Sequence, residues 1–411
     1  MIGSGVFLLP ASLAIYGGLS IYGWIISTIG AISIAAVFSK LSRRNTRSGG
    51  PYVYVRSAFG DFAGFLVAWG YWISVWTTNA ALATAAIAYL SHFFPSLKDE
   101  AVISAVLAIG LVWLITFVNS RDIQLIGRFQ FVTTAFKLIV LLSISLFGIF
   151  YFDPSNIDQL NISGESTISA ISSVVALTLF AFLGVESASI VAEKVKEPEK
   201  NVAKATYLGT VITAVIYILS TVVIMGVIPV ETLKETASPF ADAGQLMWGD
   251  WAADLIAFAA IVSCVGALNG WILIQGQIPL AIATDCLFPK QFKRLNRFKA
   301  PIFGLISSSI LVSILIVFNY SKSLVSLYTF VILLSTLCCL FPYLLCAMAE
   351  FYFQLKEKRN SFSLNARIVV LFAFLYSLAS VAGTGAEAVF LGFILLMSGV
   401  PFYVMLKAEQ E

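Results

Sequence analysis

Eleven apolar runs, each long enough to cross a lipid bilayer as a helix, fill most of this sequence. They fall near 21–41, 61–90, 101–118, 130–151, 168–192, 206–228, 252–282, 302–318, 325–349, 367–382 and 388–406. About 20 apolar residues cross the roughly 30 Å hydrocarbon core, and inside it only helices or closed barrels satisfy every backbone group. A twelfth stretch, residues 2–17, is too short to span comfortably and reads as the tail of a helix. Composition agrees, with 59% of residues hydrophobic and 11% charged, against roughly 25% charged in soluble domains. The expected fold is an all-α polytopic membrane protein, one transmembrane domain over residues 1–411 with short loops. An attached soluble enzyme is excluded.

Positive charge then sets the orientation. Of the 25 lysines and arginines, all but Lys98, Lys137, Lys234 and Lys322 fall on alternate connections, at 40–56, 121–128, 194–204, 290–299 and 356–367 and at Lys407. Loops that retain Lys and Arg are cytoplasmic, which places the C-terminus in the cytoplasm. Because these cations are spread over separate loops, they imply no nucleic-acid partner. Cys264, Cys286, Cys338, Cys339 and Cys346 show neither a disulfide framework nor a zinc spacing, and read as small apolar packing residues. No metal or cofactor is implied. The single histidine, His92, reads as an interfacial anchor.

Two spans carry helix breakers. One is Gly3-Ser4-Gly5 ahead of Val6 to Pro10, and the other is Phe182-Leu183-Gly184-Val185-Glu186-Ser187. Breaks at membrane depth are tolerated only where the freed backbone faces protein or a water-filled cavity. A carboxylate such as Glu186 at that depth is costly and usually functional. The breaks lie about five helices apart, as an inverted repeat of five helices would place them, and such pairs point to a transporter's substrate site. Helix N-termini there offer amides to a carboxylate, and unwound carbonyls accept from an ammonium. An amino acid carries both groups. A small-residue packing face is the competing reading of Gly3-Ser4-Gly5 alone, but it leaves Glu186 unexplained.

The runs GSGVFLLPASLA with Gly17-Gly18, SGGPYVYVRSAFG at 48–60, FLGVESASIVAEKVKEPEKNVAKAT at 182–206 and ASPF at 237–240 resemble the amino acid-polyamine-organocation (APC) superfamily. The likeness covers essentially the whole chain and is strongest to the bacterial arginine/agmatine antiporter group, with its putrescine/ornithine and lysine/cadaverine relatives. It implies twelve helices in the LeuT-type fold. Helices 1–5 (about 1–152) and 6–10 (about 167–350) would be inverted repeats, with helices 11–12 (about 366–407) outside them. Family members carry further residues before the GSG motif, including the cytoplasmic half of helix 1, so Met1 is expected to be a late start.

The same resemblance implies a substrate site. Ser4 and Gly5 would bind the carboxylate, and Asn79 on helix 3 would be a side-chain contact. Ser74 and Val75 stand where the antiporter has alanine and cysteine. Leu183 and Gly184 lie at the unwound turn, where Phe180 replaces a tryptophan that closes over substrate. Cation–π attraction is weaker over phenylalanine. Trp271 on helix 8 would be an aromatic platform and Ser335 on helix 10 a polar contact. Tyr71, Glu186 and Tyr343 match a cytoplasm-facing gate, Tyr343 following the kinking Pro342. Glu186 would couple that gate to pH, or serve as a static staple. Lys137, absent from the arginine/agmatine antiporter but present in many relatives, resembles a built-in substitute for a sodium ion and would serve proton coupling. The other reading is snorkelling from two turns inside the helix.

The resulting expectation is a secondary active amino acid/polyamine antiporter, arginine/agmatine-like, working by alternating access in a bacterial inner membrane. The alternatives are a proton-coupled neutral amino-acid permease, favoured by Lys137 and Phe180, and a transport-dead amino-acid sensor. An enzyme is not expected, since no serine-histidine or paired-aspartate constellation lies within the spans. The expected partners are an amino acid or amine, protons, the bilayer and, as in many family members, a second copy in a homodimer.

Overall fold

The computed structural model describes residues 2–121, 123–190, 192, 195–356 and 364–409, side chains within 123–132 excepted. Met1, Lys194, Lys358, Arg359 and the Arg128 side chain, used above for start and orientation, lie outside the described residues.

Lipid offers no water to the backbone, so each apolar run closes its hydrogen bonds on itself as a helix. In chain order these are α1 (Ser4–Leu13), α2 (Leu19–Arg44), α3 (Pro51–Phe59), α4 (Asp61–Leu90), α5 (Ala101–Asn119), α6 (Ile123–Phe147), α7 (Thr167–Phe182), α8 (Ser187–Ile190) and α9 (Pro198–Val227). There follow α10 (Val230–Leu233), α11 (Pro239–Trp248), α12 (Asp250–Thr284), α13 (Ile302–Phe318), α14 (Leu324–Lys356), α15 (Leu364–Gly383), α16 (Ala386–Met397) and α17 (Gly399–Ala408). Among the described residues no strand occurs. Among the described residues, nine helices or helix pairs are long and apolar enough to span, α16 and α17 counting together. Three shorter apolar helices, Ser4–Tyr16, Thr167–Phe182 and Ile302–Phe318, complete the set. The fold is an all-α polytopic membrane bundle.

Three helices run well past their apolar runs, α14 among them, ending at Lys356 where its run ends at 349. α6 starts at Ile123 and α9 at Pro198, well before the apolar runs at 130 and 206, because polar residues at the basic end extend both helices beyond the lipid-like stretch. Pro198 sits at the first turn of α9, where its missing N–H costs nothing.

Helices five spans apart meet: α1 lies on α7, α2 on α9 and α4 on α12, while α14 runs along α4. One turn recurs in the backbone. α3 and α11 each start at a proline and end at a glycine, Gly60 and Gly249, both with φ 87° and ψ −174°. An aspartate follows each and opens α4 or α12. Asp61 accepts from Arg56 at 2.7 Å and Asp250 from Gln245 at 2.8 Å, the donor lying five residues back in both. α4 is buried along most of its length, whereas α5, α13, α15 and α16 turn large apolar side chains outward. A lipid-facing shell therefore surrounds a core built on α1, α4, α7, α12 and α14.

Candidate functional site

α7 stops at Phe182, residues 183–186 form a turn, and the chain resumes as α8 at Ser187. Gly184 takes φ +96° there, a conformation open to glycine without strain. The turn is closed by Leu183 N–H donating to the Phe180 carbonyl (3.1 Å) and Ser187 N–H to that of Gly184 (3.1 Å). α1 starts at Ser4 behind Gly3 with no side-chain cap, so its first amides have no partner within the helix. Gly5 brings the two breaks together, since a Cβ there would stand 3.1 Å from Ala181 Cα.

Between the breaks lies a small cavity. Of the expected contacts, Ser4, Gly5, Phe180, Leu183 and Trp271 line it, and Gly184 is the next residue along the turn. Gly3, Thr78, Leu82 and Ala181 line it too and were not singled out in the sequence. Thr78 lies one turn beyond Ser74 on the same face of α4, a spacing that could have marked it. Ser74, Val75, Asn79 and Ser335 lie outside the lining. Ser335 Oγ donates to the Ser74 carbonyl (2.9 Å) and lies 2.7 Å from Thr78 Oγ1, tying α14 to α4. Val75 is buried between helices, and Asn79 donates to Gln275 (2.6 Å). Phe180 packs edge-on against Tyr328 at 6.1 Å, and the Tyr328 hydroxyl reaches Ser4 Oγ at 3.5 Å. The cavity thus has the amide end of α1 on one side and the carbonyl end of α7 on another, partial positive and partial negative charge respectively.

Glu186 is fully buried and bound at both oxygens. The Tyr71 hydroxyl of α4 donates to Oε1, and that of Tyr343 on α14 donates to Oε2 at 2.5 Å. One carboxylate therefore joins the α7–α8 turn to two long helices. Two ion-pair groups close the basic end beyond it. Arg44 at the end of α2 donates to buried Glu350 of α14 (2.9 Å). Asp285, just past α12, takes Arg56 (2.8 Å), Arg47 (3.2 Å) and the Tyr52 hydroxyl (2.9 Å). Burial, and after it Asp285, hold the Tyr52 phenol above its ordinary range. Glu350 and Asp285 were not picked out from sequence, although carboxylates at the ends of apolar helices are the signal.

Lys137 corrects the snorkelling alternative. It lies roughly four turns into α6, is buried, and donates from Nζ to the Ile2 carbonyl at 2.5 Å. His92 Nε2 lies 2.9 Å from Asp254, so the ring carries a polar contact. Cys264, Cys338, Cys339 and Cys346 are buried as packing residues, but Cys286 is exposed in the loop after α12 with φ +64°.

A family model described as amino acid permease matches residues 1–405. The chain is 35% identical over 321 residues to a cadaverine/lysine antiporter of Escherichia coli K12, covering 77% of this chain and 71% of that one. It is 30% identical to the putrescine transporter PotE of the same organism, over 100% of this chain and 94% of that one. It is also 32% identical to the putrescine transporter PotE of Haemophilus influenzae, over 98% and 93%.

Proposed function

The chain belongs to the amino acid permease family of the APC superfamily, and we propose that it is a secondary active antiporter exchanging a basic amino acid for an amine across a bacterial inner membrane. The observation that carries this reading is the cavity between the amide end of α1 and the carbonyl end of α7. A zwitterion's carboxylate suits the first and its ammonium the second, and a basic side chain then lies toward Phe180 and Trp271. The relatives' names favour linear amines of the lysine/cadaverine and putrescine kind. Phe180 favours them as well, because a guanidinium gains most from a tryptophan cap. Arginine/agmatine exchange is the neighbouring choice.

Access alternates as one helix group rocks against the other around the fixed site. Tyr71, Glu186 and Tyr343 hold the gate on the basic side, which faces the cytoplasm by the distribution of lysine and arginine. Glu186 and Lys137 are the groups through which protons act.

The test is radiolabelled lysine counterflow in proteoliposomes. Cadaverine, putrescine, agmatine or arginine on the opposite side is expected to drive uptake, and failure of all four rejects the exchange of amines. Lys137 and Phe180 favour a second reading, a proton-coupled neutral amino-acid permease. Neutral amino-acid uptake driven by an imposed pH gradient, with no amine on the far side, selects that one.

A further inference from the structure

Asn79 and Gln275 lie side by side on the seam between α4 and α12, next to the cavity wall. Asn79 follows cavity-lining Thr78, and Gln275 stands one turn beyond cavity-lining Trp271. Both are fully buried. Amide oxygen and nitrogen are assigned from hydrogen-bond networks, and this network admits one assignment. The Leu305 backbone carbonyl can only accept, and it takes a bond from Gln275 Nε2 at 3.3 Å. The same nitrogen donates to Ser309 Oγ at 3.0 Å, whose own hydroxyl has Leu305 O at 2.9 Å and Thr116 Oγ1 at 2.7 Å as partners. Gln275 Oε1 must therefore face α4, where Asn79 Nδ2 donates to it at 2.6 Å. Asn79 Oδ1 is left over, and it accepts from no described protein group.

A buried amide oxygen without a donor costs about 1–3 kcal/mol. Beside a substrate cavity, the group that meets that need is a ligand N–H. We propose that Gln275 is a positioning residue, holding Asn79 Nδ2 and so fixing Asn79 Oδ1 as a free acceptor, so that the site selects substrates bearing an ammonium or guanidinium over isosteres lacking one. This rests on the reading of the α1–α7 cavity as the substrate site. Sites built to hydrogen-bond a substrate group reject the analogue without it, because their own polar atoms then stay unpaired.

The experiment compares lysine with norleucine, which lacks the terminal ammonium, as competitors of lysine counterflow by the full chain in proteoliposomes. Gln275→Met keeps length and volume but frees the Asn79 amide to rotate. The preference for lysine is expected to fall about tenfold or more, through KM rather than kcat, as for loss of one hydrogen bond to a charged group. Ser309→Ala, which removes one anchor of Gln275 and leaves Asn79 untouched, is expected to shift the preference in the same direction by less, and it serves if the methionine variant does not fold. A methionine variant with the wild-type preference overturns the proposal and leaves amine exchange standing. A wild-type chain that carries lysine and norleucine equally also overturns it. Transport of neutral amino acids alone, with no amine exchanged, rejects the functional reading and the proposal together.

Discussion

Lys137 on α6 donates to the carbonyl of Ile2 at 2.5 Å, so a buried ammonium holds the extended chain just before the first turn of α1. That turn carries Ser4 and Gly5 at the cavity. Lys137→Ala leaves the carbonyl without a donor at a cost of about 1–3 kcal/mol and frees this end of α1. Counterflow is expected to drop at least about tenfold and its pH profile to flatten, as measured from pH 5 to 8 in proteoliposomes. A variant with the wild-type pH profile removes Lys137 from proton coupling.

Glu186→Gln tests the gate. A carboxylate accepts from both Tyr71 and Tyr343, whereas an amide has one accepting oxygen, so one phenol loses its acceptor. The expected loss is about 1–3 kcal/mol of closed-state stability. It should appear as efflux of preloaded lysine without any substrate on the far side. If efflux stays strictly coupled to counter-substrate, the three residues are a structural staple and no gate.

Gly5 tests the close approach of the two breaks. A methyl group there meets Ala181 at 3.1 Å, tighter than packed carbons sit at rest. Gly5→Ala is expected to cut exchange about tenfold while the protein still elutes as a folded species. Ala181→Gly in the same chain removes the Cβ contact at 3.2 Å but keeps the backbone Cα at 3.1 Å, so it should restore only part of the loss. Wild-type exchange by Gly5→Ala alone would show that α1 and α7 do not have to fit this closely for transport.

The broken helices were legible because glycine next to a buried carboxylate violates the rules of an ordinary span, and the α7–α8 turn falls where Gly184 and Glu186 place it. Tyr71 and Tyr343 were legible only by resemblance, since a tyrosine in an apolar helix carries no pattern of its own. The Asn79–Gln275–Ser309 chain was not legible at all. Its members lie on three helices far apart in sequence, and hydrophobic periodicity does not report which polar side chains face one another. One recurring turn carries a clear trace in the sequence. Gly60-Asp61-Phe62 and Gly249-Asp250-Trp251 stand at the same turn in the two halves, each closing a short helix that begins with proline. The late starts assigned to α6 and α9 have the opposite cause, because apolar runs mark lipid contact and a helix continues past it.

Phe180→Trp tests which amine the cavity prefers. Phe180 lines the site and packs edge-on to Tyr328 at 6.1 Å, and a cation over an indole gains more than over a phenyl ring, by about 0.5–2 kcal/mol depending on desolvation. That range corresponds to roughly twofold to thirtyfold in affinity. The larger ring must also fit a small cavity, which opposes bulky substrates of every charge. The two effects separate by charge. Because a planar guanidinium also stacks on an aromatic face where an ammonium does not, agmatine and arginine are expected to gain in apparent affinity relative to lysine, while a neutral amino acid of similar size gains nothing or weakens. The check is a set of competition curves against labelled lysine in wild type and variant. Equal shifts for agmatine and for a neutral analogue of its size would mean that the ring acts by volume alone. Phe180 would then say nothing about the choice between guanidinium and linear amine.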